Sequence, residues 1–265
     1  MDKKKIILTT ITMLLFVLVL FLAYLLFNKY VLKRNFEDGI LPFANKNQNT
    51  IFKIDKVVFF SSADAKNKNV AVSNFTIENL YQYTDIALFI HSNSEEKNLE
   101  NTFKKVSLEN IKWNIVPSSG EPKLYFKSIN QFAKSDIVEE NAIQDKLEFA
   151  ISSEDEANLD TPTLYNNLAN PITISYVNNN IKSDYTITNT SNPITYDGSL
   201  LKRCNVPLNN IECNVSFDIY ITNNEDQEFK CTVFLDIPLE TQDKSIYDGN
   251  IQIKKDTNFT FYRYK

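Results

Sequence analysis

The feature that most constrains this chain is an uninterrupted apolar segment near its amino terminus. Residues 6–27 (IILTTITMLLFVLVLFLAYLLF) contain no charged residue, proline or glycine. As a helix that rises about 1.5 Å per residue, this segment spans about 33 Å, which matches the hydrocarbon core of a bilayer. The segment therefore predicts one transmembrane helix, through which the chain contacts lipid.

A cleaved signal peptide is the alternative, and the residues around the segment argue against it. A signal peptide has an apolar region of about 7–15 residues that ends in an A-x-A-like cleavage site. Here the apolar run is longer and ends in the bulky residues Tyr24, Leu25, Leu26 and Phe27. No cysteine lies near it, so a lipoprotein anchor is excluded. We therefore predict an uncleaved signal anchor and a single-pass protein.

The orientation of this anchor rests on its flanks. Three basic residues precede the segment and three follow it closely. The positive-inside rule therefore does not decide the orientation on its own. The free amino group and the short leading tail favour a cytoplasmic amino terminus and an extracytoplasmic body in the cell membrane. The predicted organisation is a tail at 1–5, the anchor at 6–27, a stalk at 28–50 and a body at 51–265. In the alternative topology the body is cytoplasmic.

The charge of the body restricts its partners. Residues 35–265 carry 22 basic and 32 acidic side chains, a net charge of -10. Such a surface repels nucleic acid, so we predict no nucleic-acid partner. The four glycines are far apart, so no glycine-rich phosphate loop can form. With a single histidine, His91, zinc sites that need two are excluded. We predict no catalytic residue, cofactor or metal site.

Most of the body has the pattern of half-buried β-strands. Apolar and polar residues alternate with period two, and the apolar positions favour β-branched and aromatic side chains, which is typical of antiparallel strands. The segments with this pattern are IFKIDKVVFF (51–60), DIALFIHS (85–92), IKWNI (111–115), KLEFAI (146–151), PITISYVN (171–178) and DYTIT (184–188).

The clearest alternation predicts a hairpin near the carboxyl end. The segments IECNVSFDIYI and FKCTVFLDI flank the turn NNED, and each has one apolar face. If Ile221 faces Phe229, Cys213 and Cys231 lie about 20 Å apart along the ladder, too far for a disulfide. Polar Ser216 should then lie on the solvated face.

The three cysteines, Cys204, Cys213 and Cys231, contain no C-x-x-C spacing, so no redox or zinc motif is present. Cys213 and Cys231 fall on the apolar faces of the hairpin. We expect free thiols in the core, because unpaired cysteine packs as a small hydrophobe. A Cys204–Cys213 disulfide is the alternative.

Helical signals are short and occur at 94–105, 129–135 and 162–169, so none can cover a sheet. Many short strands without intervening helices predict an all-β fold. We expect an antiparallel β-sandwich of Greek-key or jelly-roll type with a few short helices. The body is one large sandwich or two modules divided near the acidic stretch at 152–162. Two Tyr-Asp-Gly triplets, at 196–198 and 247–249, are too short to define a repeat.

Three features of the sequence resemble functional sites, and each has a simpler explanation. His91 ends a strand without an accompanying nucleophile motif, so we expect a surface residue. The acidic residues Glu154, Asp155, Glu156 and Asp160 lack calcium-loop spacing and suit a solvated linker. Trp113 alternates with apolar neighbours, which favours core packing over a sugar-stacking platform.

These observations favour a non-catalytic binding or structural module of the bacterial cell envelope, with an envelope protein or a glycan as its partner. The richness in Asn, Lys, Ile, Tyr and Phe suits an AT-rich bacterial genome. Two alternatives stay open. A carboxylate-dependent carbohydrate-active hydrolase needs only two well-placed acids. A membrane-tethered cytoplasmic scaffold would follow from the reversed topology.

Overall fold

The computed structural model describes residues 3–44, 51–66, 75–77, 79–92, 98–152, 161–165, 171–183, 186–187 and 194–263. Their contacts group them into two compact units. The first unit lies within residues 1–48, and the second extends from residue 49 to residue 263.

The first unit contains one long helix, α1 (Lys3–Ala44). Within its section Thr9–Phe36, the most apolar stretch of 18 residues has a mean hydropathy of 2.7, and none of that stretch is buried within the protein. By length and composition this helix can cross a membrane. The first part of the predicted stalk, residues 28–44, continues α1 as helix. Extending an existing helix costs far less free energy than nucleating one, so residues with a weak helix pattern can still continue α1.

The second unit is built almost entirely from strands. In the described residues they are β1 (Phe52–Ala65), β2 (Phe75–Thr76), β3 (Leu80–Ser92), β4 (Phe103–Ile115), β5 (Glu121–Phe126), β6 (Lys146–Ser152), β7 (Thr163–Tyr165), β8 (Pro171–Ile181), β9 (Thr186–Ile187), β10 (Asn214–Asn223), β11 (Glu228–Asp236), β12 (Ile251–Thr260) and β13 (Tyr262–Arg263). A short helix, α2 (Ser199–Arg203), precedes the carboxyl-terminal hairpin.

Two sheets face each other across one core, which confirms the predicted all-β sandwich. The five-stranded sheet has the order β12-β1-β3-β8-β5, and the six-stranded sheet has the order β13-β11-β10-β4-β6-β7. All pairs in these two sheets are antiparallel except β6–β7. Each sheet contains strands from both sides of residues 152–162, so that stretch does not separate two modules. A third, two-stranded sheet pairs β2 with β9.

The core consists of the apolar faces of both sheets, because period-two alternation puts every second side chain inside. Its fully buried members include Val57, Ile86, Tyr176 and Phe217. The predicted hairpin register is confirmed: Ile221 pairs with Phe229, Ile219 with Cys231 and Phe217 with Val233. The expectation for Ser216 was wrong, since it points to the outer face and is still only 4% exposed.

All three cysteines are buried and free, so the Cys204–Cys213 disulfide does not form. Burial raises the pKa of Cys213 to about 11 and that of Cys231 to about 12. A thiol that stays protonated at neutral pH is a poor nucleophile. These cysteines therefore act as small core residues.

The short helical predictions were largely wrong where they fall on described residues, while 94–97 and 166–169 lie outside those residues. Within 94–105, residues Phe103–Lys105 begin β4, and within 162–169, residues Thr163–Tyr165 form β7. Within 129–135, only Ile129–Gln131 form a single 3-10 turn. Pairing with neighbouring strands overrides weak local propensity at these positions.

The two Tyr-Asp-Gly triplets pack against each other. A Cβ atom at Gly198 would lie 2.1 Å from the carbonyl oxygen of Gly249. The close contact between the two turns therefore requires a glycine at position 198. The Tyr247 hydroxyl donates a hydrogen bond to the carbonyl oxygen of Val206. A second cluster of buried residues, which includes Ile211, joins these turns to the sandwich. The loops before β10 and after β11 are thereby held in place.

Candidate functional site

An open cleft of about 480 Å³ lies where one side of the sandwich is incompletely closed. On this side β12 is the outermost strand of its sheet. The chain then passes from β12 into β13, which pairs with β11 only at Phe229 and Lys230. Beyond these two residues, the described chain supplies no further partner for this edge of β11. The cleft lies past that point, at the carboxyl end of β11. We call it the edge cleft.

The floor of the edge cleft is apolar because core residues reach it from both sheets. Phe59 of β1 and Ile253 of β12 are directly paired neighbours. Ile237 and Leu239 come from the segment that follows β11, and both are buried. Apolar surface of this kind favours a ligand that can displace water from it.

The rim of the edge cleft carries charge. Glu212, Asp236 and Glu240 supply three carboxylates, and Lys255 supplies the single ammonium group. All four are exposed. Asp236 accepts a hydrogen bond from the Asn214 side chain. The rim therefore has a net negative charge above an apolar floor, an arrangement that complements a cationic, partly apolar ligand.

Carboxylates in a cleft can also act as catalytic acids, and those on this rim are poorly suited to that role. A glycosidase needs two carboxyl groups, one of which must remain protonated at working pH through desolvation. Glu212, Asp236 and Glu240 are exposed, and Glu240 accepts a hydrogen bond from Ser245 Oγ at 3.2 Å. The rim is therefore better suited to holding positive charge than to donating protons.

Of the candidate residues that the sequence suggests, His91 and Trp113 do not line the edge cleft. His91 is on β3, where its Nε2 lies 3.3 Å from Oδ1 of Asp55. Trp113 is partly buried and packs against the core, with its ring centroid 6.1 Å from that of Tyr176. This packing agrees with the core interpretation of Trp113. The acidic group Glu154, Asp155, Glu156 and Asp160 lies outside the described residues. Among the described residues, no group of three or more His, Cys, Asp or Glu side chains is placed to hold a metal ion.

Sequence reasoning did not find the edge cleft because its walls are far apart in the chain. Phe59 and Leu239 are separated by most of the body, and they line the same cleft only in the folded sandwich. Glu212 and Asp236 occupy polar positions near the ends of the alternating segments of the hairpin, where a polar residue carries no special signal. The cleft is a property of topology rather than of any local motif.

These features define a class of protein: one apolar helix followed by an all-β sandwich body with an open edge. Among known proteins, no family model, no curated protein and no solved structure matches the chain. The function must therefore be argued from the geometry of the body.

Proposed function

We propose that this protein is a membrane-anchored, non-catalytic binding module of the bacterial cell envelope, with its body outside the cytoplasm. The observation that carries the proposal is the edge cleft, in which an apolar floor is surrounded by three carboxylates and one ammonium group. The partner is an extended segment of another envelope protein that alternates basic and apolar residues.

The form of the partner follows from the strands beside the cleft. An unpaired strand edge presents free N–H and C=O groups, and an extended segment can pair with them as an added strand. In an extended segment, successive side chains point to opposite sides. Apolar side chains then reach the floor near Ile253, while lysines on the other side reach Glu212 or Asp236.

A short fluorescein-labelled peptide of alternating lysine and valine is the probe for this proposal. Fluorescence anisotropy is measured with the full-length protein in a neutral detergent, against a peptide of alternating glutamate and valine. The basic peptide should bind with a dissociation constant tighter than about 1 mM and weaken as salt increases. The acidic peptide should not bind. Equal binding of both peptides contradicts the proposed role of the rim.

Charge-neutralising variants show whether the basic peptide occupies the edge cleft. Glu212→Gln, Asp236→Asn and Glu240→Gln are combined in one variant. Exposed charge contacts contribute about 0.3–1 kcal/mol each, so affinity should fall about tenfold. The matched control combines the substitutions Glu121→Gln, Glu140→Gln and Asp145→Asn, which remove the same charge elsewhere on the body. A similar loss in the control would mean that only the overall charge attracts the peptide.

The extracytoplasmic location rests on the apolar section of α1 and its basic leading tail. Protease added to intact spheroplasts should degrade the body, while the untreated protein sediments with membranes. Protection of the body would support the cytoplasmic scaffold instead. Release of a soluble mature form would show that α1 is a cleaved signal.

The hydrolase alternative is favoured by one observation, the presence of three carboxylates in a single cleft. Release of reducing ends from β-glucan, chitin and peptidoglycan is the direct assay. Turnover that disappears in Glu212→Gln or Asp236→Asn would establish the hydrolase and refute the binding module. We expect no turnover, because the carboxylates on the rim are exposed.

A further inference from the structure

A buried charged pair lies on the other side of the five-stranded sheet, away from the sandwich core. Asp85, in the middle of β3, is 0% exposed, and Lys127, which directly follows β5, is 3% exposed. The segment 127–143, which we call the strap, covers this outer face. Its Phe132 packs against Phe60 of β1, and the Tyr81 hydroxyl donates to the carbonyl oxygen of Ser135.

The two side chains are in direct contact. Lys127 Nζ lies 2.9 Å from both Oδ1 and Oδ2 of Asp85 and also donates to the carbonyl oxygen of Lys134. Ser175 Oγ donates to Oδ1 at 2.7 Å, and the backbone N–H of Ala133 donates to Oδ2 at 2.7 Å. The ring of Tyr83 lies 5.0 Å from Nζ and shields it from solvent.

Burial changes the chemistry of this pair. Removing an ion from water is costly, so a buried ion pair tends towards its neutral form. Desolvation raises the pKa of Asp85 and lowers that of Lys127, against the opposing effect of their mutual attraction. Transfer of one proton from Nζ to the carboxylate within this contact would give a neutral amine beside a carboxylic acid. A desolvated, neutral lysine amine is a competent nucleophile.

We propose that Lys127 and Asp85 condense to form an intramolecular amide cross-link. Nζ forms a bond to Cγ of Asp85, and the bond from Cγ to Oδ1 breaks. Two of the three protons of the ammonium group leave with Oδ1 as one water molecule, and the third stays on the amide nitrogen. Oδ2 becomes the amide carbonyl oxygen. No oxidant, reductant or further reactant is required.

The surroundings of Asp85 fit this reaction. A tetrahedral intermediate places negative charge on the carboxyl oxygens, and preorganised donors stabilise such charge. The Ala133 N–H is aimed at Oδ2 by a backbone with φ of 66°, a conformation that a non-glycine residue rarely adopts. Ser175 stands beside Oδ1, the oxygen that leaves. The fixed contact of Nζ with the carboxyl group replaces a bimolecular encounter by an intramolecular one.

The cross-link would join the end of β5 to β3 across the intervening strand β8. It would also tie the start of the strap to the sheet that it covers. A covalent bond at this point prevents β5 from separating from the sheet edge. Such a bond suits a body that is exposed to proteases outside the cell.

The mass of the intact full-length protein tests the proposal. The expected mass is lower than that of the sequence by one water molecule. After trypsin digestion, peptide 69–97, which contains Asp85, should be joined to peptide 124–134, in which Lys127 is no longer cleaved. Recovery of both peptides unlinked, from a protein of unaltered mass, would show an ordinary ion pair and overturn the proposal.

Two variants show which amine reacts. Lys127→Arg keeps the charge and lacks the amine, so it should retain the water, whereas Lys123→Arg should still lose it. Lys123 forms an exposed pair with Glu139 at 2.8 Å. It therefore shows whether contact between a lysine and a carboxylate is sufficient without burial. Loss of water that persists in Lys127→Arg would place the dehydration elsewhere, for example at an Asp-Gly sequence, and would refute the cross-link.

Discussion

Replacement of Phe217 by alanine tests the central packing of the sandwich. Phe217 is 1% exposed and lies in the core between the two sheets, paired with Val233 across the hairpin. Deleting its ring removes the transfer free energy of a large apolar group and leaves a cavity that its neighbours only partly fill. Such substitutions cost about 3–5 kcal/mol. That is a large share of the roughly 5–15 kcal/mol of stability that a folded domain has.

Phe234→Ala is the matched control, because it makes the same substitution on the same hairpin with the opposite environment. Phe234 is 57% exposed on the outer face of β11. Since most of its ring is already in water, its removal should cost less than about 1 kcal/mol. Ser216, the residue that the sequence suggested as a control, is unsuitable because it is buried and its Oγ contacts Oδ1 of Asn114 at 3.5 Å.

Urea unfolding of the full-length protein in a neutral detergent provides the measurement. Trp113 is the only tryptophan, and it packs on the sandwich core, so its fluorescence reports on the body and not on α1. With a slope of about 2 kcal/mol per M, a loss of about 4 kcal/mol lowers the midpoint by about 2 M. Similar midpoints for Phe217→Ala and Phe234→Ala would show that the alternation of the hairpin has been misassigned.

Two further predictions concern buried polar groups. Burial keeps the thiols of Cys204, Cys213 and Cys231 protonated and out of reach. A maleimide should therefore label none of them in the native protein and all three in urea, and peptide mapping without reductant should find no linked cysteines. Burial alone would raise the pKa of Asp218, but hydrogen bonds from Thr232, Lys230 and Asn110 outweigh it, and the pKa is lowered. The stabilisation is therefore present above the ordinary Asp value and is lost as the pH falls through the folded-state pKa. Asp218→Asn should cost about 1–3 kcal/mol at pH 7, and the difference from the wild type should shrink in acid; a loss independent of pH would contradict the role of the charge.

The sequence predicted the fold where one face of a strand is clearly apolar. In the hairpin, a shift of one residue would turn Phe217 and Ile219 outward, so the alternation determines both the buried face and the register. The same pattern failed for Ser216 and Asp218. Period two shows which way a side chain points, but not whether neighbouring strands cover it. Both residues lie on β10, which has β4 on one side and β11 on the other.

The candidate sites depend on contacts between distant parts of the chain, and the sequence could not supply them. Asp85 begins an apolar run, so the pattern predicts that it lies at the start of a strand. In the structure β3 starts at Leu80, and Asp85 lies in the middle of the strand. Its partner Lys127 follows a different strand, and nothing local marks either residue. The edge cleft is likewise lined by residues from β1, from β12 and from the segments before β10 and after β11. Local patterns therefore predicted the secondary structure, whereas the sites required the topology.

The edges of the five-stranded sheet differ in their protection, and this difference bears on what the body can bind. At one edge, Tyr125 of β5 bridges to Ala142 of the strap, which occupies part of that edge. At the other edge, β12 has no outer partner in the described chain, but it carries the exposed residues Lys254, Lys255 and Asp256. Charges on an edge strand discourage indiscriminate pairing.

Charge then determines which strand can add to the open edge. A second copy of the body, with a net charge of -10, would bring more negative charge to the rim formed by Glu212, Asp236 and Glu240. Repulsion of this kind discriminates against the wrong partner as effectively as attraction selects the right one. An acidic partner of any kind would be rejected for the same reason. A basic, extended segment is attracted by these three carboxylates and repelled on the rim by Lys255, so the net attraction makes the open edge selective without a deep pocket.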